Sequence, residues 1–121
     1  MPVCGPESIY IDNGNLLYGS ENRTLTSTKS IDFVRKTDTF IEYICAKYTR
    51  SFGGSQDNQY KDVKHYIIES CKYRENNPQS NVNFVALLDG FYYTSKKYNE
   101  MKQLIGVFHN NVYIRSCDTY V

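Results

Sequence analysis

The stretch SIDFVRKTDTFIEYICAKYTRSFGGSQDNQYKD, residues 30–62, decides how the rest of the chain is read. It holds two extended runs and then a turn into a helix. The first run, Ser30 to Lys36, is rich in β-branched and aromatic residues, and strand alternation puts Asp32 on the face opposite Ile31 and Phe33. The second, Thr39 to Thr49, follows a tight turn at Thr37-Asp38. Its alternation sets Tyr43, Cys45, Lys47 and Thr49 on one face and Phe40, Glu42, Ile44, Ala46 and Tyr48 on the other. Gly53 and Gly54 then break the sheet, Ser55 offers a helix N-cap, and Asp57 suits the positive end of the helix dipole.

Downstream, Tyr60, Val63, Ile67 and Cys71, widened by Tyr66 and Ile68, make one apolar stripe, so a helix is expected from Asp57 to about Arg74. Glu75-Asn76-Asn77-Pro78 ends it. Phe84 to Leu88 is a short continuous apolar run closed by Asp89-Gly90, as in a strand covered on both faces. A second helix is expected from Ser95 to Ile105, with Tyr98, Met101, Leu104 and Ile105 inward and Gly106 as its C-cap. Asn110-Asn111 turns the chain into a last edge strand, Val112 to Ile114.

Upstream, residues 1–8 read as an irregular arm. Ser8 to Ile11 and Leu16 to Tyr18 read as a hairpin around the Asn-Gly turn of Asp12 to Asn15, and Gly19 to Lys29 is a polar loop. The order is β-hairpin-β-β-α-β-α-β. Helical crossovers join parallel neighbours, so the expectation is one α/β domain, residues 1–121, around a mixed sheet.

A chain of 121 residues with 40% hydrophobic and 22% charged residues suits a soluble globular domain. The net charge of +1 excludes a strongly basic tail, so any nucleic-acid contact must come from a local patch. Twelve tyrosines, six phenylalanines and no tryptophan make the core tyrosine-heavy. With frequent Asn, Lys and Ile, this matches the codon bias of an AT-rich genome, such as that of a virus or phage. Cys4, Cys45, Cys71 and Cys117 lie far apart with no CxxC or CxxH pairing, which argues against a zinc site or disulfide framework and for a reducing, intracellular compartment. No run approaches the roughly 20 apolar residues of a membrane span, and MPVCGPES has none of the regions of a signal peptide. No membrane partner is expected.

Asp32 on one strand and Lys47 on the next, before a glycine-rich turn into a helix, resemble the core of the PD-(D/E)xK nuclease superfamily, and within it the type II restriction endonucleases. GGSQDNQYKDV and the later FVALLDGFYY add to the likeness, which covers roughly residues 30 to 115. The resemblance implies a restriction-endonuclease-like mixed sheet. It implies Asp32 as the first family acid and Lys47 as the family lysine, with Cys45 at the position of the second acid.

Phosphodiester hydrolysis uses a divalent metal to polarise the phosphate and to lower the pKa of the attacking water. Magnesium prefers oxygen ligands, and a cysteine at position 45 is a soft one that discriminates against it. The expected Mg2+ ligands, for an active enzyme, are therefore Asp32 and an acid displaced onto the helix, Asp57 or Asp62, with Asp57 preferred. Glu42, three residues before Cys45, points to the other face of its strand. Gly53, Gly54 and Ser55 at the helix start, with Lys61 and Lys64 on the helix, are the candidate phosphate contacts on DNA. Each residue has a plain alternative: Asp32 a solvated acid, Lys47 a snorkelling side chain, Cys45 a small core hydrophobe, and the basic helix side, with Lys72 and Arg74, a solvated face. Three readings follow. The chain is a catalytically impaired nuclease relative that binds DNA or a protein partner, an active metal-dependent endonuclease, or a structural or interaction protein, homo-oligomeric or virion-associated, that reuses the fold.

Overall fold

The computed structural model describes residues 8–48, 54–90 and 93–116. Strands β1 (Ile9–Asp12) and β2 (Asn15–Tyr18) form an antiparallel hairpin. Asn13 and Gly14 both take positive φ, 51° and 76°, the pair of left-handed residues that a two-residue hairpin turn demands. Strands β3 (Phe33–Lys36), β4 (Ile41–Tyr48), β5 (Val82–Asp89) and β6 (Val112–Arg115) form a four-stranded sheet in the order β3-β4-β5-β6. Helix α1 (Gly54–Asn76) connects β4 to β5, and α2 (Ser95–Ile105) connects β5 to β6. Both crossovers join parallel pairs, whereas β3 and β4 are antiparallel. The chain is thus a mixed α/β fold with the element order expected from sequence.

The core lies between α1, α2 and one face of the sheet. Val34, Tyr43, Cys45, Phe84, Ala86, Leu88, Val112 and Ile114 supply that face, and Tyr60, Val63, Tyr66, Ile67 and Cys71 of α1 pack on it with Met101 and Ile105 of α2. Phe84 sits at the centre, fully buried, with the edges of the Tyr66 and Tyr73 rings toward it at centroid distances of 6.2 and 5.4 Å. Edge-on contacts set the positive rim of one ring against the negative face of the other. Ile9 and Ile11 of the hairpin complete the same core.

Several boundaries differ from the sequence expectation. Ser30 to Asp32 are not part of β3. Thr28 and Ile31 instead pair with β1, through Thr28 N–H to Ile11 O at 2.9 Å and Ile31 N–H to Ile9 O at 2.8 Å. The next residue crosses over, with Asp32 N–H bonded to Ile44 O of β4 at 3.0 Å. One short segment therefore ties the hairpin to the main sheet. Helix α1 starts at Gly54, which puts Ser55 inside the first turn and not at the N-cap. Ile68 and Leu104, expected inward, are exposed at 39% and 38%.

Arg74 corrects the expectation of a solvated basic face. It is buried, and its guanidinium donates to the carbonyls of Pro78, Ser80 and Val82 at 2.5–3.1 Å. The α1–β5 connection is wrapped around it. Thr94 caps α2 by accepting from Lys97 N–H, and Gly106 ends that helix at φ 54°. No helix among the described residues is long and apolar enough to cross a membrane.

Candidate functional site

The antiparallel register ends with Phe33 opposite Ile44, and Asp32, just before it, bonds its N–H to Ile44 O at 3.0 Å, which leaves its carboxylate near enough to act on the Cys45 thiol. Asp32 keeps this position because its own carboxylate accepts Ala46 N–H at 2.8 Å, a charge-assisted bond across the strands. Lys47 is two residues beyond Cys45 on the same face; Cys45 is buried in the core with residues of α1, and Lys47 is half-buried. The sequence-expected trio of Asp32, Cys45 and Lys47 is therefore brought together at one end of the sheet.

Cys45 reports what surrounds it. The thiol is buried, and its pKa is pushed up from 9.0 to about 12. Loss of water around the thiolate is the main cause; Lys47 pulls the value down, while Asp32 and Asp62 push it up. At neutral pH this cysteine is a neutral thiol. It is neither an activated nucleophile nor a good metal ligand, both of which require the thiolate.

The same field identifies the nearby helix acid. Asp62, half-buried on α1, acts on the thiol, whereas Asp57 is exposed in the helix's first turn. Tyr66, four residues after Asp62, also faces this end of the sheet. Its hydroxyl donates to Tyr43 O at 2.8 Å, and burial, with the Cys45 and Asp32 charges behind it, holds its pKa well above 10. Glu42 lies on the opposite sheet face, as alternation requires, where it pairs with its cross-strand neighbour Arg35 at 3.0 Å.

Beside Asp62 a cleft of about 670 Å³ opens, lined by Arg23, Thr24, Leu25, Ser27, Lys29, Asp62 and His65. Two of its cations come from the loop between β2 and β3, which reads from sequence only as a polar connection. The Arg23 guanidinium stands 5.9 Å from the centre of the Tyr10 ring. The expected DNA contacts divide. Lys61, exposed, lies one turn before His65 and so on the cleft side of α1. The Lys64 ammonium turns instead over the Tyr60 ring, 4.4 Å from its centre, toward α2. Gly54 and Ser55 occupy the first turn of α1, and Gly53 falls outside the described residues.

The donor set does not fit a preformed magnesium site. Asp32 spends one carboxylate oxygen on a backbone N–H, Cys45 offers a neutral sulfur, and no group of three His, Cys, Asp or Glu among the described residues stands close enough to hold a metal ion. What the arrangement presents is a lysine and two acids around a buried thiol, next to a cation-lined cleft.

Comparison of the chain with protein-family models, with curated proteins and with solved structures finds no match.

Proposed function

We propose that this chain is a restriction-endonuclease-like domain that binds duplex DNA and has an impaired cleavage site. The observation that carries the reading is the convergence of Asp32, Lys47 and Asp62 on Cys45 beside the cleft of Arg23 and Lys29. The cations supply what a phosphate backbone needs, while the thiol occupies the place where a hydrolytic site needs a hard oxygen ligand.

The test has two arms. Fluorescence anisotropy with a labelled duplex is expected to give salt-sensitive binding. With Arg23, Lys29 and Lys61 as phosphate contacts, the slope of log K against log salt is about −2 to −3. Arg23→Ala with Lys29→Ala shallows it by about 2. In a plasmid-nicking assay with magnesium or manganese, the native chain is expected to be silent and Cys45→Glu to gain nicking that Lys47→Ala removes. Absence of duplex binding overturns the proposal, and nicking by the native chain overturns the impairment.

One observation favours a second reading, an active divalent-metal endonuclease. Asp62 stands in the field of the same thiol as Asp32, where a displaced acid would be wanted. Native nicking that is lost in Asp62→Asn but kept in Asp57→Asn would decide for it.

A further inference from the structure

Leu25 is fully exposed at the tip of the loop between β2 and β3, and it lines the cleft with Arg23, Lys29 and His65. An isolated exposed leucine is ordinary in itself. What sets this one apart is how firmly the chain on either side is held. The hydroxyls of Thr24 and Thr26 donate to the two carboxylate oxygens of Asp12, at 2.9 and 2.8 Å. Ser27 Oγ accepts Thr24 N–H at 3.3 Å and donates to Thr24 O at 2.9 Å. The loop then closes on β1, where the buried Thr28 accepts Ile11 N–H through Oγ1 at 3.0 Å. Asp12 thus clamps the residues before and after Leu25 and leaves its side chain in water.

We propose that Leu25 is a wedge that enters the minor groove of a bound duplex and partly unstacks one base step. The inference rests on the DNA-binding reading above and names the contact by which that cleft deforms its ligand. Architectural DNA binders insert apolar side chains between base steps in this way, with basic residues alongside neutralising the phosphates that the kink draws together. Arg23 and Lys29 bracket Leu25 within four residues on one side or the other, and Asp62 is the only acid among the described residues that line the cleft. A clamped loop suits the task, because a wedge on a slack loop would bend before the stacked bases did. The charge of the lining favours a polyanion over an apolar protein partner as the occupant.

The experiment uses the full chain with duplexes carrying 2-aminopurine at successive positions and a fluorophore pair at the ends. Native protein is expected to raise 2-aminopurine fluorescence and to shorten the end-to-end distance. Leu25→Ala still binds, weakened on the order of tenfold or less, and both signals vanish. Leu25→Phe retains them, as does Val107→Ala, which removes another exposed apolar side chain outside the cleft. Native binding without either signal, or Leu25→Ala matching the native chain in both, overturns the wedge while leaving the DNA-binding reading standing. No duplex binding by the native chain overturns both.

Discussion

Raising the pH tests the environment assigned to Cys45 without reference to any ligand. Burial lifts the folded thiol from 9.0 to about 12, while the unfolded thiol keeps its ordinary value. Between those values the unfolded chain has lost a proton that the folded chain still holds. Stability from this group is therefore complete below the unfolded pKa and falls as pH rises toward the folded one. At about 1.4 kcal/mol for each pH unit that separates the folded from the unfolded value, the whole contribution is about 4 kcal/mol, of which about 1 kcal/mol is lost by pH 10. Urea denaturation of the native chain and of Cys45→Ala, each at pH 8 and pH 10, isolates this part. Titrations remote from Cys45 are common to both proteins and cancel in the difference, and burial, the main cause of the raised Tyr66 pKa, is kept in Cys45→Ala. The native chain is expected to lose about 1 kcal/mol more than Cys45→Ala over that interval. Equal losses in the two proteins would refute the argument that the thiol is held neutral by burial and by Asp32 and Asp62.

Two further perturbations probe the frame that holds the site. Gly14→Ala puts a Cβ at positive φ, 2.7 Å from Asn76 Nδ2 and 3.0 Å from the backbone carbonyl carbon of Lys72. Left-handed strain of about 1–2 kcal/mol plus overpacking against α1 predicts a loss of roughly 2–4 kcal/mol by urea denaturation. Arg74→Met leaves the carbonyls of Pro78, Ser80 and Val82 without their guanidinium donor, and a loss of about 2–4 kcal/mol is expected, with faster amide exchange near residues 78–82.

Local chemistry made much of the fold legible. The Asn13-Gly14 dipeptide demanded the hairpin turn, Gly106 demanded the end of α2, and the apolar run ending at Asp89 demanded a covered strand. Each is a case in which a few adjacent residues admit one backbone conformation. Alternation also separated Glu42 correctly from Cys45 and Lys47. The failures share a different cause. Ser30 to Asp32 left β3 because Ile31 is bonded to β1, a distant pairing that alternation cannot register. Arg74 has the composition of a surface residue, and only the path of the next loop shows that its guanidinium is needed inside. Dipole placement does not rank Asp57 against Asp62 as neighbours of Cys45, whereas helical phase does. Asp62 lies four residues before Tyr66, whose hydroxyl reaches β4. Nothing in the loop of Arg23, Leu25 and Lys29 distinguished it from an ordinary connection, because its clamp is Asp12, on another element.

Glu69 shows what the hairpin contributes beyond apolar burial. It is a buried acid on α1 whose carboxylate accepts Gly14 N–H at 2.9 Å and lies 3.3 Å from Lys72 Nζ. The tip of the hairpin is thereby anchored to the helix that carries Asp62 and His65, and the lining of the cleft from loop and from helix shares one foundation.

The segment that passes from β1 to β4 sets a length as well as a connection. Lys29 stands in the cleft wall and Asp32 beside Cys45, and three residues of chain reach at most roughly 10 Å. Its middle is fixed to β1 at Ile31 and its end to β4 at Asp32. A displacement of the loop that carries the Lys29 backbone away from Asp32 works against the bonds from Thr28 N–H to Ile11 O and from Ile31 N–H to Ile9 O on either side of it. The backbone that carries a cation of the cleft and the backbone that carries an acid of the sheet-end cluster are consequently held in one short, tied segment.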